Sequence, residues 1–306
     1  MEKLIEIREV IKQLYSRYAV IVEAVEKFLL SLIAILLINS QMGAMSILKN
    51  PIAVLGISIV CAAVPKTLMV VILALCIVAH AYALSMEMAA LILVVLFIMF
   101  LFYFRFASGD GIVLILLPIL FMLKIPFVMP IALGLLASPF SVVSMAFGTM
   151  MYFMIHYIHV NYESIVSASS SEGLSIMSDM AREVFSDSSM YLIIITFAVV
   201  LVAVWVIRNL SVRDSWLIAI GAGSVVDLVV MLIGSISFGV DSVLSVPAVI
   251  LGNVASLLIS GIIVFLFHHV DYSRTEHVQF EDDDYYYYVK AVPKVKTVKK
   301  TRRKKH

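Results

Sequence analysis

One carboxylate, Asp227, stands in the middle of an apolar run that reads GAGSVVDLVVMLIGSIS. An acid in such a setting is expensive unless it is protonated, paired or hydrated, so intramembrane acids are functional candidates by default. Two readings therefore stand side by side. Asp227 is a working intramembrane group, or it is a protonated acid hydrogen-bonded to Ser or Asn on another helix, such as Asn253. Gly221 and Gly223 lie one to two turns earlier, where the lack of a side chain lets a neighbouring backbone or a ligand come close. His80, in CIVAHAYAL, is the other titratable group well inside an apolar span. A proton relay with Asp227 is one role for it, and a hydrogen-bonded buried imidazole is the other.

His156, His159 and Glu163 are spaced i, i+3 and i+7, which puts them on one helical face at a spacing acceptable for a metal. Against that reading, Tyr152, Tyr157 and Tyr162 surround the set as an interfacial aromatic belt would, and Asn161 is placed to end the helix before Glu163 joins it. No GxxxxGK[ST] loop, HExxH or GxSxG elbow occurs, nor any paired intramembrane carboxylates. The chain is expected to be neither an enzyme nor the holder of a cofactor. Active movement of a substrate would draw on an ion gradient or a partner ATPase.

These groups are carried by a chain that is 62% hydrophobic and 14% charged, with a mean hydropathy of +1.07. Soluble domains carry about 25% charged residues. Apolar segments fall at about 28–48, 51–65, 67–86, 88–104, 112–123, 126–137, 140–159, 190–207, 215–236 and 243–268. A helix needs roughly 17 to 25 such residues to cross a bilayer, so the fold class is an all-α polytopic transmembrane helix bundle of eight to ten spans. Three segments are short: 51–65 is fenced by Pro51 and Pro65, and Pro118, Pro126, Pro130 and Pro139 cut 112–139 into pieces of a few turns. Proline frees a carbonyl that lipid cannot satisfy, so broken helices belong in the protein interior. Gly252, Ser256 and Ser260 recur every four residues and form a small-residue stripe for close helix packing. Cys61 and Cys76 read as small core residues.

Residues 1–27 form a cytosolic amphipathic helix, with Leu4, Ile7, Ile11, Leu14, Tyr18, Ile21 and Val25 on one stripe. Residues 28–270 are the transmembrane domain, and 161–189 is its one sizeable extracytoplasmic loop. Within that loop, 173–186 reads as a short helix lying on the membrane surface. Orientation follows from the positive charges: Arg302, Arg303, Lys304 and Lys305 hold the C-terminus in the cytoplasm, and an even number of crossings puts the N-terminus there too. A cytoplasm-reporting enzyme fused after Ser171 is accordingly expected to be inactive, and activity there would overturn the topology.

Residues 271–306 are expected to be a disordered cytosolic tail. An acidic cluster, Glu281, Asp282, Asp283 and Asp284, is followed by Tyr285, Tyr286, Tyr287 and Tyr288 and then by nine Lys and Arg from Lys290 onward. The acidic and aromatic part suits docking of a cytosolic protein, and the basic end suits anionic lipid headgroups more than nucleic acid. The string FEDDDYYYYVKAVPK, Phe280 to Lys294, resembles the tail of an uncharacterised group of polytopic membrane proteins from anaerobic Gram-positive bacteria. That resemblance covers about fifteen residues and implies a bacterial inner membrane, with no functional residue to carry across.

The leading expectation is a permease-type transport subunit for a small or lipid-like substrate, since broken helices around a midplane are how transporters build sites. A cytosolic ATPase would dock on the loop Arg208 to Ser215 and on the tail. The alternative is a non-catalytic membrane scaffold for envelope or division machinery that recruits cytosolic partners through the tail. Scarce intramembrane charge favours the scaffold.

Overall fold

Helices form along every one of the ten apolar segments. The structure, a computed structural model, describes Ile7, Val10 and residues 15–106, 110–167, 173–210, 212, 214–238, 245–267, 276–281 and 285–291. In chain order the first helices are α1 (Ala19–Gln41), α2 (Ser46–Lys49), α3 (Pro51–Ala63), α4 (Lys66–Leu84), α5 (Met86–Phe106), α6 (Val113–Met122) and α7 (Val128–Leu136). They are followed by α8 (Ser141–Val160), α9 (Tyr162–Ser167), α10 (Gly173–Ser186), α11 (Ser188–Arg208), α12 (Ser215–Phe238) and α13 (Val246–Phe267). Helix α1 runs unbroken through Phe28, so the amphipathic segment and the first apolar run share one helix. Residues 1–14, apart from Ile7 and Val10, lie outside the described residues.

Among the described residues five helices are long and apolar enough to cross a membrane: α4, α8, α11, and the stretches Ser215–Gly234 and Val246–Leu266 of α12 and α13. Large apolar side chains stay exposed on their outer faces, Leu251 at 70% and Leu258 at 68% among them. In water such a surface would drive aggregation; in lipid it is the natural boundary. The chain is a multispanning membrane protein, an all-α polytopic bundle. Helices α1, α3, α4, α5 and α6 pack in one group and α7, α11, α12 and α13 in another, with α8 bridging them against α6 and α11.

Helices α6 and α7 occupy the proline-rich region, and both are interior, as lipid-excluded broken helices must be. At 1.5 Å per residue they are about 15 and 14 Å long, half of a hydrocarbon core about 30 Å thick. Asp110, just before α6, accepts a hydrogen bond from the Ser141 hydroxyl, which begins α8 directly after α7. Both ends of the pair therefore lie together, so α6 and α7 double back as a hairpin whose tip is 123–127. A Schellman closure ends α6: Lys124 N–H bonds to Phe121 O at 3.0 Å and Ile125 N–H to Leu120 O at 2.9 Å. Lys124 holds the left-handed position of that motif, with φ 61°, and Pro126 prevents α6 from resuming.

Helix α3 begins on an Asn-Pro signal, with Asn50 Oδ1 accepting from Ile52 N–H and Pro51 in the first turn. Its far end is closed by Lys27 of α1, whose Nζ donates to Val64 O at 2.9 Å. A cation there opposes the negative end of the helix dipole. Outside the bundle, β1 (Glu276–Glu281) and β2 (Tyr286–Ala291) pair antiparallel, Phe280 opposite Tyr287. The rest of 271–306, apart from Tyr285, lies outside the described residues. Val, Phe and Tyr fit a pleated strand well, and two such runs flank the Asp-rich connection.

Candidate functional site

Helices α12 and α13 are consecutive and pack against each other. At their contact the Asn253 side chain donates from Nδ2 to Asp227 Oδ2 at 3.0 Å. Asp227 is 0% exposed and Asn253 2%. Asn253, the partner the sequence offered, is thus bonded to Asp227, a contact compatible with both readings of that acid. The pair is incompletely satisfied: Asp227 Oδ1 and Asn253 Oδ1 have no hydrogen-bond partner, and neither do the buried hydroxyls of Ser224 and Ser260. Buried polar groups are nearly always paired, so this concentration of unpaired oxygens along one helix contact marks the site.

The hairpin tip lies against the same stretch of α13. Ser256 Oγ donates to Phe127 O at 2.9 Å, which satisfies one of the carbonyls released where the helix breaks. One turn earlier, Gly252 allows close approach: a Cβ there would fall 2.7 Å from Phe127 Cδ2 and 2.9 Å from Lys124 O. Gly252 and Ser256 thus receive the hairpin, and Ser260, one turn on, is buried. Aromatic rings brace the tip from the other side. Phe121 stacks on Tyr152 at 4.4 Å, and Phe127 meets Phe197 edge-on at 6.1 Å.

Arg208, at the end of α11, closes the base of the hairpin. Its guanidinium donates to Leu135 O and, at 3.2 Å, to Ala137 O, the carbonyls left over where α7 stops. The loop Arg208 to Ser215, the expected docking surface, thus begins with a half-buried side chain that is committed to α7. The Ser215 hydroxyl also bonds back to Arg208 O at 3.2 Å.

Gly223 meets Val204 of α11 closely, whereas a Cβ on Gly221 would meet nothing within 4 Å. The packing role expected of Gly221 is therefore not realised. Two residues span about 200° of helix turn, so both glycines cannot face one neighbour. His80 is not near Asp227 in the packing: α4 lies with α1, α3, α5 and α6, and α12 with α7, α11 and α13. Both imidazole nitrogens are used locally, Nδ1 by Met45 N–H at 3.2 Å and Nε2 by Asn39 Oδ1 at 2.8 Å. Asn39 Nδ2 in turn donates to Leu48 O at 2.8 Å. His80 pins the turn after α1, and the relay with Asp227 is not assembled.

His156, His159 and Glu163 are likewise not gathered into one set, although His159 and Glu163 line a common hollow. Helix α8 ends at Val160, Glu163 belongs to α9, His159 Nδ1 lies 3.1 Å from Gln41 O, and His156 stacks on Tyr152. Among the described residues no group of three His, Cys, Asp or Glu is placed to hold a metal. In the tail, Tyr285 to Tyr288 are exposed and Glu281 is paired opposite Tyr286, while Asp282, Asp283 and Asp284 lie outside the described residues.

Among the spaces that border the bundle, two differ sharply in lining. A narrow cleft between α1, α4, α5, α6 and α8 is lined by apolar side chains alone, among them Ile38, Leu73, Met99, Pro118 and Met151. Helix α10 roofs a wide polar hollow with the end of α8, lined by Tyr157, Asn161, Asp179, Arg182, Glu183 and Asp187. Its buried residues Gly173, Met180 and Val184 face the bundle, with Gly173 against Glu87 of α5. Sequence reasoning missed the clamp by Arg208 and the Asp110–Ser141 tie. Both were signalled only as polar residues beside proline-broken segments.

Compared with family models, with curated proteins and with solved structures, the chain matches none of them, so its function is read from its own residues.

Proposed function

We propose that this chain is a permease-type transport subunit for a lipid-like substrate, without an ATPase of its own, seated in a bacterial cytoplasmic membrane with both termini cytosolic. The observation that carries the reading is the pair of short helices α6 and α7, whose broken tip rests on the buried polar stretch of α13, partway along that apolar helix. Irregular backbone at membrane depth is a feature of transporter sites, where it is buried in protein or lines a cavity. The wholly apolar cleft beside α6 supports an apolar passenger over a hydrated solute.

A scaffold reading has its own support in the β1–β2 hairpin, which presents Tyr285, Tyr286 and Tyr288 at 67%, 68% and 78% exposure. Removing residues 271–306 separates the two. Lipid and metabolite profiles of cells and medium are measured for cells lacking the protein, with the full chain restored, and with the truncated chain at equal membrane level. A permease restores the profile with or without the tail. If only the full chain restores it, the scaffold reading replaces the permease.

A further inference from the structure

We propose that Asp227 and Asn253 form a proton-binding site: one proton on Asp227 Oδ1, donated to Asn253 Oδ1, closes a cyclic acid–amide pair with the existing Asn253 Nδ2 to Asp227 Oδ2 bond. The inference begins with which atoms are left over. Each side chain makes one bond to the other, and each keeps one oxygen that is buried and without a partner. An ionised carboxylate and an amide oxygen are acceptors only, so neither satisfies the other. One added O–H satisfies both. The unpaired Ser224 and Ser260 hydroxyls differ in kind, because a hydroxyl both donates and accepts and is able to turn toward the carbonyl four residues back.

Among the described residues no cation is placed to take the proton's part. Asp227 is the only charged residue in α12, and α7 and α13 carry no titratable side chain. Helix α11 brings Tyr191 and Arg208, at its two ends. Arg208 is committed to Leu135 O and Ala137 O, and the Tyr191 hydroxyl donates to Phe185 O. Lys124, in the tip beside Gly252, carries an exposed side chain. An alkali cation would need more oxygens than the pair offers and would have to draw on the Ser224 and Ser260 hydroxyls, since Ser256 is already bonded to Phe127 O; the sodium arm of the test below separates the two occupants. Loading takes one proton from water and forms one O–H bond; release returns that proton and leaves a carboxylate beside an amide oxygen, which loosens α12 from α13. The site stands whether the chain moves a substrate or anchors a partner.

The full-length protein, reconstituted in liposomes at neutral pH, is examined by infrared spectroscopy in the carboxylic-acid carbonyl region. A protonated-acid band is expected and should be lost entirely in Asp227→Asn, which keeps the shape and allows an amide–amide pair. In Asn253→Ala the band should persist but move to higher frequency as its hydrogen bonds are lost, which keeps the test open if Asp227→Asn does not fold. Absence of the band at neutral pH, or its survival in Asp227→Asn, would overturn the proposal. So would its disappearance when sodium replaces choline, which would make this an alkali-cation site.

Discussion

Alanine at Gly252 should destabilise the protein by roughly 1–3 kcal/mol, the usual range for forcing a methyl group into a filled interior. The added carbon would sit 2.7 Å from the Phe127 ring and 2.9 Å from Lys124 O. The second contact is with backbone, held by the Schellman bonds of α6, and a rotamer change does not relieve it. Either α13 or the hairpin tip must move, and the Ser256 to Phe127 bond one turn away goes with it. The measurement is thermal unfolding in detergent, followed by loss of the monodisperse peak, with Gly261→Ala as the companion. Gly261 is a glycine of the same helix with nothing within 4 Å of its would-be Cβ. There alanine should be neutral or stabilising by up to about 1 kcal/mol, because it restores helix propensity without a clash. Equal losses at both positions would show that the close approach of tip and helix is not what Gly252 provides.

Replacing Arg208 by methionine should be at least as damaging. It removes two charge-assisted hydrogen bonds, each worth about 1.5–3 kcal/mol, from the carbonyls of Leu135 and Ala137. Methionine keeps the apolar stem, so the loss reports on the guanidinium and not on packing. Helix α7 should fray from its base, and cysteine labelling at Ala137 in the membrane should speed up relative to the parent protein. Arg208→Lys should recover only part of the stability, because an ammonium lacks the planar fork that reaches two carbonyls at once. A variant with unchanged stability and unchanged labelling would mean that Arg208 serves the cytosolic face after all.

Sequence alone determined what depends on local chemistry. Hydropathy and run length located the ten helical segments, because the transfer of a side chain into lipid needs no knowledge of its neighbours. Proline placed the breaks at Pro126 and Pro139, because its missing N–H and fixed φ act on its own turn, whereas Pro118 and Pro130, also expected to cut the chain, lie inside α6 and α7 without ending them. The same reasoning singled out Asp227, the only charge in its span, and offered Asn253 as its partner. Only the tertiary structure decided which distant groups meet. It folded α6 and α7 back to one side through the Asp110–Ser141 tie, turned Arg208 inward onto α7, and gave His80 to Asn39 on another helix. It also set Gly223 against Val204 while leaving Gly221 facing open space. The physical reason is that such contacts depend on how whole helices pack and rotate. Residues two apart point in nearly opposite directions, and a few degrees of rotation choose the partner.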